Sequence, residues 1–111
     1  MAQEFSNVTV AIPANVYFDG KVTSRTVRFA DGTEKTLGLM QVGEYEFGTE
    51  KAELMEITAG KVAVQLAGEE SWTEYSGGDS FNVPGSSKFK IRAIELADYV
   101  CSYLEDSNLE E

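Results

Sequence analysis

Apolar and polar residues alternate with a period of two along most of the chain. Such alternation predicts β-strands with one buried face, because successive side chains of a strand point to opposite sides. The alternating apolar positions are Val8, Val10 and Ile12; Tyr45 and Phe47; Met55 and Ile57; Val62, Val64 and Leu66; Phe81 and Val83; Phe89 and Ile91; and Tyr99, Cys101 and Tyr103. No stretch keeps a helical apolar period between helix caps, so we predict little or no helix.

Glycine-containing dipeptides of the kind that favours turns separate the predicted strands. They stand at residues 19–20, 31–32, 42–43, 59–60, 67–68, 77–78 and 84–85. The pair Asp31 and Gly32 predicts a hairpin that joins residues 27–29 to residues 36–39. Many short strands with frequent turns are typical of an all-β sandwich or barrel, in which closure removes exposed sheet edges.

Length and composition are those of one soluble globular domain. The chain has 111 residues, of which 42% are hydrophobic and 25% charged. That is enough for a single core and too little for two. We therefore predict one domain over residues 1–111, with frayed ends and a solvated acidic tail at residues 105–111.

The net charge of −10 narrows the range of partners. It repels nucleic-acid backbones and anionic membrane surfaces, so we expect neither as a partner. No apolar run approaches the roughly 20 residues of a membrane-spanning helix, and the N-terminus lacks the layout of a signal peptide. These features favour a cytoplasmic protein. A small anionic substrate would need a local cluster of cations and backbone N–H groups.

Cys101 is the single cysteine, and the chain has no histidine. One cysteine excludes an intrachain disulfide and a multi-cysteine metal cluster. The neighbouring residues include no histidine or cation that would stabilise a thiolate, so we interpret Cys101 as a small buried apolar residue.

Two spaced motifs resemble those of the cupin fold. Glu53 is followed after six residues by Gly60, and Gly78 is followed after five residues by Pro84. The histidines that hold the metal in cupins are absent, and Phe89 stands where the second motif would supply one. An aromatic ring cannot ligate a divalent ion, so we predict no metal site and disfavour a metal-dependent dioxygenase or isomerase.

Five segments together resemble the small cupin-type pyrimidine/purine nucleoside phosphorylases, within residues 15–104. They are residues 15–22 (NVYFDGKV), 38–40 (GLM), 43–49 (GEYEFGT), 78–84 (GDSFNVP) and 99–103 (YVCSY). The resemblance implies a single-domain cupin-like (jelly-roll) β-barrel and reversible phosphorolysis of nucleosides to free base and pentose 1-phosphate. The implied substrates are adenosine, guanosine, inosine, xanthosine, uridine, cytidine and thymidine, with inorganic phosphate as co-substrate. It also implies a homodimer that needs no metal or other cofactor.

Phosphate binding requires cations and oriented donors. Residues 21–28 form the most basic and hydroxyl-rich segment of this acidic chain. Lys21 is our first candidate to bind phosphate, with Ser24 and Arg25 beside it. Its alternative role is that of an ordinary exposed lysine.

Glu53 is the candidate catalytic residue. If it corresponds to the cupin glutamate it faces the interior, where its carboxylate can bind the ribose hydroxyls or act as an acid toward the base. Burial would raise its pKa, whereas pairing with Lys21 or Lys51 would keep it ionised. The alternative is a structural glutamate whose oxygens accept hydrogen bonds from the backbone.

Aromatic and hydroxyl side chains complete the predicted substrate site. Stacking accepts any base because every base has a π-face, and four inward-facing rings are candidates for it: Tyr45, Phe47, Phe81 and Phe89. Thr49 and Tyr103 are weaker candidates, whose hydroxyls can bind sugar, phosphate or their own backbone. For each ring the alternative is ordinary core packing.

Two functions remain open from the sequence. The leading hypothesis is a metal-independent nucleoside phosphorylase, and the alternative is a non-catalytic cupin that binds a sugar or nucleoside without converting it. Trp72, in a polar hairpin region, is either a dimer contact or an ordinary packing residue.

Overall fold

The computed structural model describes residues 2–104, so the predicted acidic tail lies outside the described residues. The strands are β1 (Thr9–Val10), β2 (Asn15–Tyr17), β3 (Val22–Arg28), β4 (Glu34–Met40), β5 (Gly43–Gly48), β6 (Glu53–Ala59), β7 (Lys61–Leu66), β8 (Thr73–Ser76), β9 (Ser80–Val83), β10 (Lys88–Ala93) and β11 (Ala97–Tyr103). A 3-10 turn at Phe18–Gly20 connects β2 to β3. The all-β prediction is confirmed.

The strands form two sheets that pack face to face. The larger sheet has the order β1-β3-β4-β11-β6-β9, with β2 also paired to β3, and the smaller has the order β5-β10-β7-β8. All of these pairs are antiparallel. The cupin-like expectation is confirmed, with the strands arranged as a sandwich of two sheets rather than one continuously closed barrel.

One core fills the space between the sheets. Both sheets contribute to it, and its largest fully buried side chains are Met40, Ile57, Ile91, Val22, Val62, Val64 and Val83. Each of these buried apolar side chains contributes roughly 1.5–3 kcal/mol of transfer free energy. All but Met40 and Val22 stand at positions that the period-two alternation marks as inward.

The predicted hairpin joins β3 to β4. Val27 lies opposite Lys35 and Arg28 opposite Glu34, and the Gly32 N–H donates to the Phe29 carbonyl over 3.0 Å. Gly32 has a φ of +89°, which a residue without Cβ adopts without strain. The hairpin prediction is confirmed.

The predicted buried face of residues 8–12 is wrong. Only Thr9–Val10 are in strand conformation, and the side chains of Val10 and Ile12 are 50% and 84% exposed. β1 pairs only with β3 at the edge of the larger sheet, so its side chains do not reach the shared core. Alternation predicts a buried face only where another layer covers it.

The glycine of the first cupin-like motif has a structural reason. Gly60 lies between β6 and β7 with a φ of +89°, and a Cβ there would lie 2.2 Å from the carbonyl oxygen of Leu96. No larger residue fits that turn without moving the backbone. Gly60 therefore allows β6, which carries Glu53, to turn directly into the opposing sheet.

None of the helical structure within residues 2–104 is long and apolar enough to cross a membrane. The cytoplasmic location stays a prediction.

Candidate active site

A cavity of about 930 Å³ opens between the two sheets. Its volume lies within the range of pockets that hold small molecules. Five residues that the sequence predicted for the site line it together: Ser24 on β3, Phe47 on β5, Glu53 on β6, Phe89 on β10 and Tyr103 on β11. Both sheets therefore contribute to one lining.

The basic segment of β3 does not converge on this cavity. Ser24 is buried and lines it, whereas Lys21 and Arg25 are exposed and absent from the lining. The reason is the strand alternation, which points Val22 and Ser24 toward the cavity side of β3 and Arg25 to the other side, while Lys21 precedes the strand. The Arg25 guanidinium donates to the carbonyl of Ile12 on the outside of the sheet.

Three other predicted residues make structural contacts away from the cavity lining. The Tyr45 hydroxyl donates to the carbonyl of Gln41 over 2.6 Å. The Thr49 hydroxyl donates to the carbonyl of Pro84 over 2.7 Å. Phe81 stacks on Tyr75 with a centroid distance of 4.6 Å. Tyr45, Thr49 and Phe81 thus follow the structural alternative raised for them.

Glu53 lies at the start of β6, opposite Tyr103 on the neighbouring strand β11. Burial raises the pKa of its carboxyl above the ordinary value of 4.5, and a hydrogen bond from the Cys101 thiol opposes that shift. The thiol is buried, as predicted. Its side chain is not only an apolar core group, however, because its S–H donates to the carboxylate of Glu53.

Thr36 and Tyr103 adjoin this pair on the larger sheet. Thr36 on β4 lies opposite Cys101, and its side chain lowers the pKa of both Cys101 and Tyr103 against the larger effect of burial. Burial raises the pKa of Tyr103 to about 12 and, together with the Glu53 charge, raises the pKa of the Cys101 thiol. Near neutral pH, Glu53 is therefore surrounded by uncharged thiol and hydroxyl groups.

Aromatic rings form the other side of the cavity. Phe47 and Phe89 stack with a centroid distance of 5.8 Å and an interplanar angle of 28°. The ring of Tyr17, at the end of β2, lies perpendicular to that of Phe47, with a centroid distance of 5.8 Å and an interplanar angle of 84°. The cavity thus has a polar wall on the larger sheet and an aromatic wall on the smaller one.

Two lysines supply the positive charge of the cavity lining within residues 2–104. Of the nine basic residues in the chain, Lys35 and Lys51 line the cavity. The Lys35 ammonium lies 5.4 Å from the ring centroid of Phe5 and 5.8 Å from that of Phe29, two rings that do not line the cavity. Lys51, on the segment between β5 and β6, is therefore the cation best placed to act on a ligand in the cavity.

The side chains present do not form a cupin metal site. Within residues 2–104, no three His, Cys, Asp or Glu side chains group closely enough to hold a metal ion. Phe89, at the position of the second-motif histidine, is only 4% exposed and packs in the core. The donor set of a metal-dependent cupin is thus missing among these residues.

Comparison with known proteins identifies the family. The family model described as pyrimidine/purine nucleoside phosphorylase matches residues 12–103. The chain belongs to this family. A protein of that name from Hydrogenovibrio crunogenus is 62% identical over 102 residues, which are 92% of this chain and 98% of the relative. Another of that name, from Sulfurovum sp., is 57% identical over 92% of this chain and 99% of the relative.

Solved structures support the fold. A protein of unknown function from Acinetobacter sp. ADP1 superposes with a TM-score of 0.90 and 42% identity, over 93% of this chain and all of that one. An ectoine synthase from P. lautus superposes with a TM-score of 0.63 at 17% identity, over 81% of this chain and 70% of that one. At such low identity the second likeness shows a shared fold alone.

Sequence reasoning missed two residues of this cavity, Cys101 and Lys51. Cys101 stands on the same alternating face as Tyr99 and Tyr103, and that parity was a sign that its thiol points inward with them. Lys51 precedes Glu53 by two residues in the chain. Neither the face of Cys101 nor the spacing of Lys51 and Glu53 shows from the sequence which strands lie side by side.

We expect the variant Cys101→Ala to raise the pKa of Glu53, because the thiol that opposes the effect of burial is removed. Cys101→Ser keeps a donor and should not raise it. The pKa of Glu53 can be measured by NMR titration of its side-chain carboxyl in wild type and both variants.

Ser102→Ala is the matched control, because Ser102 is adjacent and buried and its hydroxyl makes no hydrogen bond within residues 2–104. It should leave the titration of Glu53 unchanged. An unchanged or lowered pKa in Cys101→Ala would show that the thiol does not act on Glu53.

The raised pKa of Glu53 also affects stability. Because the folded protein binds this proton more tightly than the unfolded chain, the free energy of unfolding falls as pH rises from 4.5 toward the pKa of Glu53 in the folded protein.

Proposed function

We propose that the protein catalyses the reversible phosphorolysis of purine and pyrimidine nucleosides to free base and pentose 1-phosphate. The proposed substrates are adenosine, guanosine, inosine, xanthosine, uridine, cytidine and thymidine. The observation that carries the proposal is a cavity that combines one partly buried carboxylate, uncharged donors, a lysine and an aromatic wall. Membership of the pyrimidine/purine nucleoside phosphorylase family supports it.

The reaction makes three demands on a site. A phosphate oxygen forms a bond to the anomeric carbon of the sugar as the bond to the base nitrogen breaks, and the electron pair leaves with the base, which takes up a proton. The sugar passes through a cation-like state. The site must therefore hold the phosphate, position the ribose and stabilise the charges that develop.

Glu53 meets the second demand in this proposal. Its carboxylate binds the ribose hydroxyls and stabilises the positive charge of the sugar in the transition state. Tyr103, opposite it on β11, remains protonated up to high pH because burial raises its pKa to about 12. Its phenol is thus available as a donor, together with the buried hydroxyl of Ser24.

Phe47, with the buried ring of Phe89 stacked behind it, forms the surface against which the base lies. A stacking surface discriminates little between purines and pyrimidines, which suits a broad substrate range. Phosphate itself is the nucleophile, so the proposed reaction needs no metal to activate water and no cofactor.

Lys51 replaces Lys21 as the proposed phosphate ligand. Phosphate requires a cation that reaches the cavity, and Lys51 lines it whereas Lys21 is exposed and does not line it. In this proposal the phosphate bound by Lys51 lies beside the sugar bound by Glu53, two positions further along the chain.

We expect purified protein to release free base and pentose 1-phosphate from uridine or adenosine only when phosphate is present. Chromatography of the reaction with and without phosphate measures this. Equal release of base without phosphate, or no release, would contradict the proposal. Nucleoside binding without turnover would favour the alternative, a non-catalytic binding protein of cupin fold.

Repeating this assay after treatment with a strong chelator tests whether the reaction needs a metal ion. The activity should remain after the treatment. Loss of activity that returns on addition of a metal ion would contradict metal independence alone.

Lys51→Ala should raise the phosphate KM by on the order of tenfold, equivalent to about 1.4 kcal/mol, and change the nucleoside KM little. Lys21→Ala is the matched control and should leave both constants near those of wild type. The opposite pattern, with the effect at Lys21, would return the phosphate role to the segment that the sequence first indicated.

We also propose that the protein is a homodimer, as the family resemblance implies. The outward face of the larger sheet carries exposed apolar side chains at Val16, Leu37 and Leu39. Val16 and Leu39 both pair with Thr23, so they lie in one row across the sheet. A second copy of the chain would cover this apolar row through the same surface on each subunit.

Leu39→Lys should convert the dimer to a monomer, because it places a charge in the apolar row. Light scattering coupled to gel filtration gives the mass. Leu96→Lys, at an exposed leucine between β10 and β11, is the control and should stay dimeric.

Trp72 offers a test of the other possible interface. Its ring lies under the Arg92 guanidinium at 4.3 Å. If Trp72→Ala alone dissociated the dimer, the interface would lie on the smaller sheet.

A further inference from the structure

Tyr17 lines the cavity between the aromatic wall and the polar wall. Tyr17 is 42% exposed, and its ring lies perpendicular to that of Phe47 with a centroid distance of 5.8 Å. That perpendicular contact holds the ring and covers at most one of its faces. An aromatic ring held in place at the cavity while part of its surface stays open is suited to receive a flat ligand.

The backbone after Tyr17 is strained. Phe18, Asp19 and Gly20 have φ values of +53°, +56° and +91°, and a left-handed conformation costs a residue with a side chain roughly 1–2 kcal/mol. Strain of this kind persists only where the surrounding structure holds it. The connection is thus a shaped turn rather than a slack loop.

The Phe18 ring holds that turn in place. Its centroid lies 5.0 Å from that of Tyr45 and 5.4 Å from that of Phe47. This packing gives a structural role to the buried Tyr45, which the sequence predicted to stack on the substrate. Its ring supports the turn beside the cavity. The position of Tyr17 is therefore set by two aromatic contacts of the next residue as well as by its own.

Tyr17 also lies close to the polar wall. Burial is the main cause of the raised pKa of Tyr103, and the charge of Tyr17 is the smallest of the contributions to it. The two phenols are therefore within electrostatic reach of each other across the cavity. Both are partly exposed, with Tyr103 at 40%.

We propose that Tyr17 forms the outer wall of the nucleobase subsite, with its ring stacked on the base of the bound nucleoside. This inference rests on the proposed function. An uncharged ring beside Phe47 suits the flat, uncharged base rather than the phosphate, for which the cavity offers Lys51. Because a purine presents a larger π-face than a pyrimidine, Tyr17 should contribute more to adenosine binding than to uridine binding.

Tyr17→Ala should raise the KM for adenosine on the order of tenfold or more, raise that for uridine less, and leave the phosphate KM within about twofold. Tyr17→Phe keeps the ring and should remain near wild type. Phe5→Ala, which removes a ring that packs on Phe29 outside the cavity lining, is the matched control. Unchanged nucleoside KM values in Tyr17→Ala, or an equal rise in the phosphate KM, would overturn the proposal.

Equilibrium binding separates this inference from the proposed reaction. If wild type releases no base, phosphorolysis fails, and calorimetric titration with adenosine then tests the subsite by itself. Weaker binding to Tyr17→Ala with wild-type binding to Tyr17→Phe supports the subsite. Equal binding to all three proteins, or no binding to wild type, overturns it, and thermal unfolding of each variant checks that it is folded.

Discussion

The β11 strand lies between β4 and β6 in the larger sheet, and its inward side chains fit there because Gly38 on β4 has no side chain. A Cβ at Gly38 would lie 2.1 Å from the ring of Tyr99. The ring therefore lies against the β4 backbone and is 7% exposed. With Tyr99 seated in this way, Cys101 and Tyr103 follow on the same face toward the cavity. The grouping of Glu53, Thr36 and the two β11 side chains depends on this fit.

The polar wall that results balances two opposing effects on one carboxyl group. Removing Glu53 from water favours its protonated form, and the hydrogen bond from Cys101 favours its ionised form. The group remains partly exposed, so it does not bear the full cost of a buried charge. A carboxyl poised in this way suits a reaction in which positive charge appears and disappears beside it.

The aromatic wall shows how one fold supports different chemistry. One protein with this architecture but little sequence identity is an ectoine synthase. In this chain Phe89, where the motif spacing predicts a cupin metal ligand, is buried and stacks on Phe47. A ring pair there offers a surface for flat ligands in place of a coordination site. The fold thus leaves the chemistry to the few side chains that line its cavity.

Alternation along the sequence by itself determined most of the strands and most of their inward faces, because strand geometry sends successive side chains to opposite sides. It did not predict β2 or β8. Ser24 stands at an even-numbered position and Arg25 at an odd-numbered one, so strand alternation could have predicted from the sequence that Arg25 faces outward. Only the tertiary structure decided that residues 8–12 lack a covering layer. It also decided which inward residues share a cavity. Glu53, Cys101 and Thr36 meet because β6, β11 and β4 are neighbours, and strand order depends on pairing between segments that are distant in the chain.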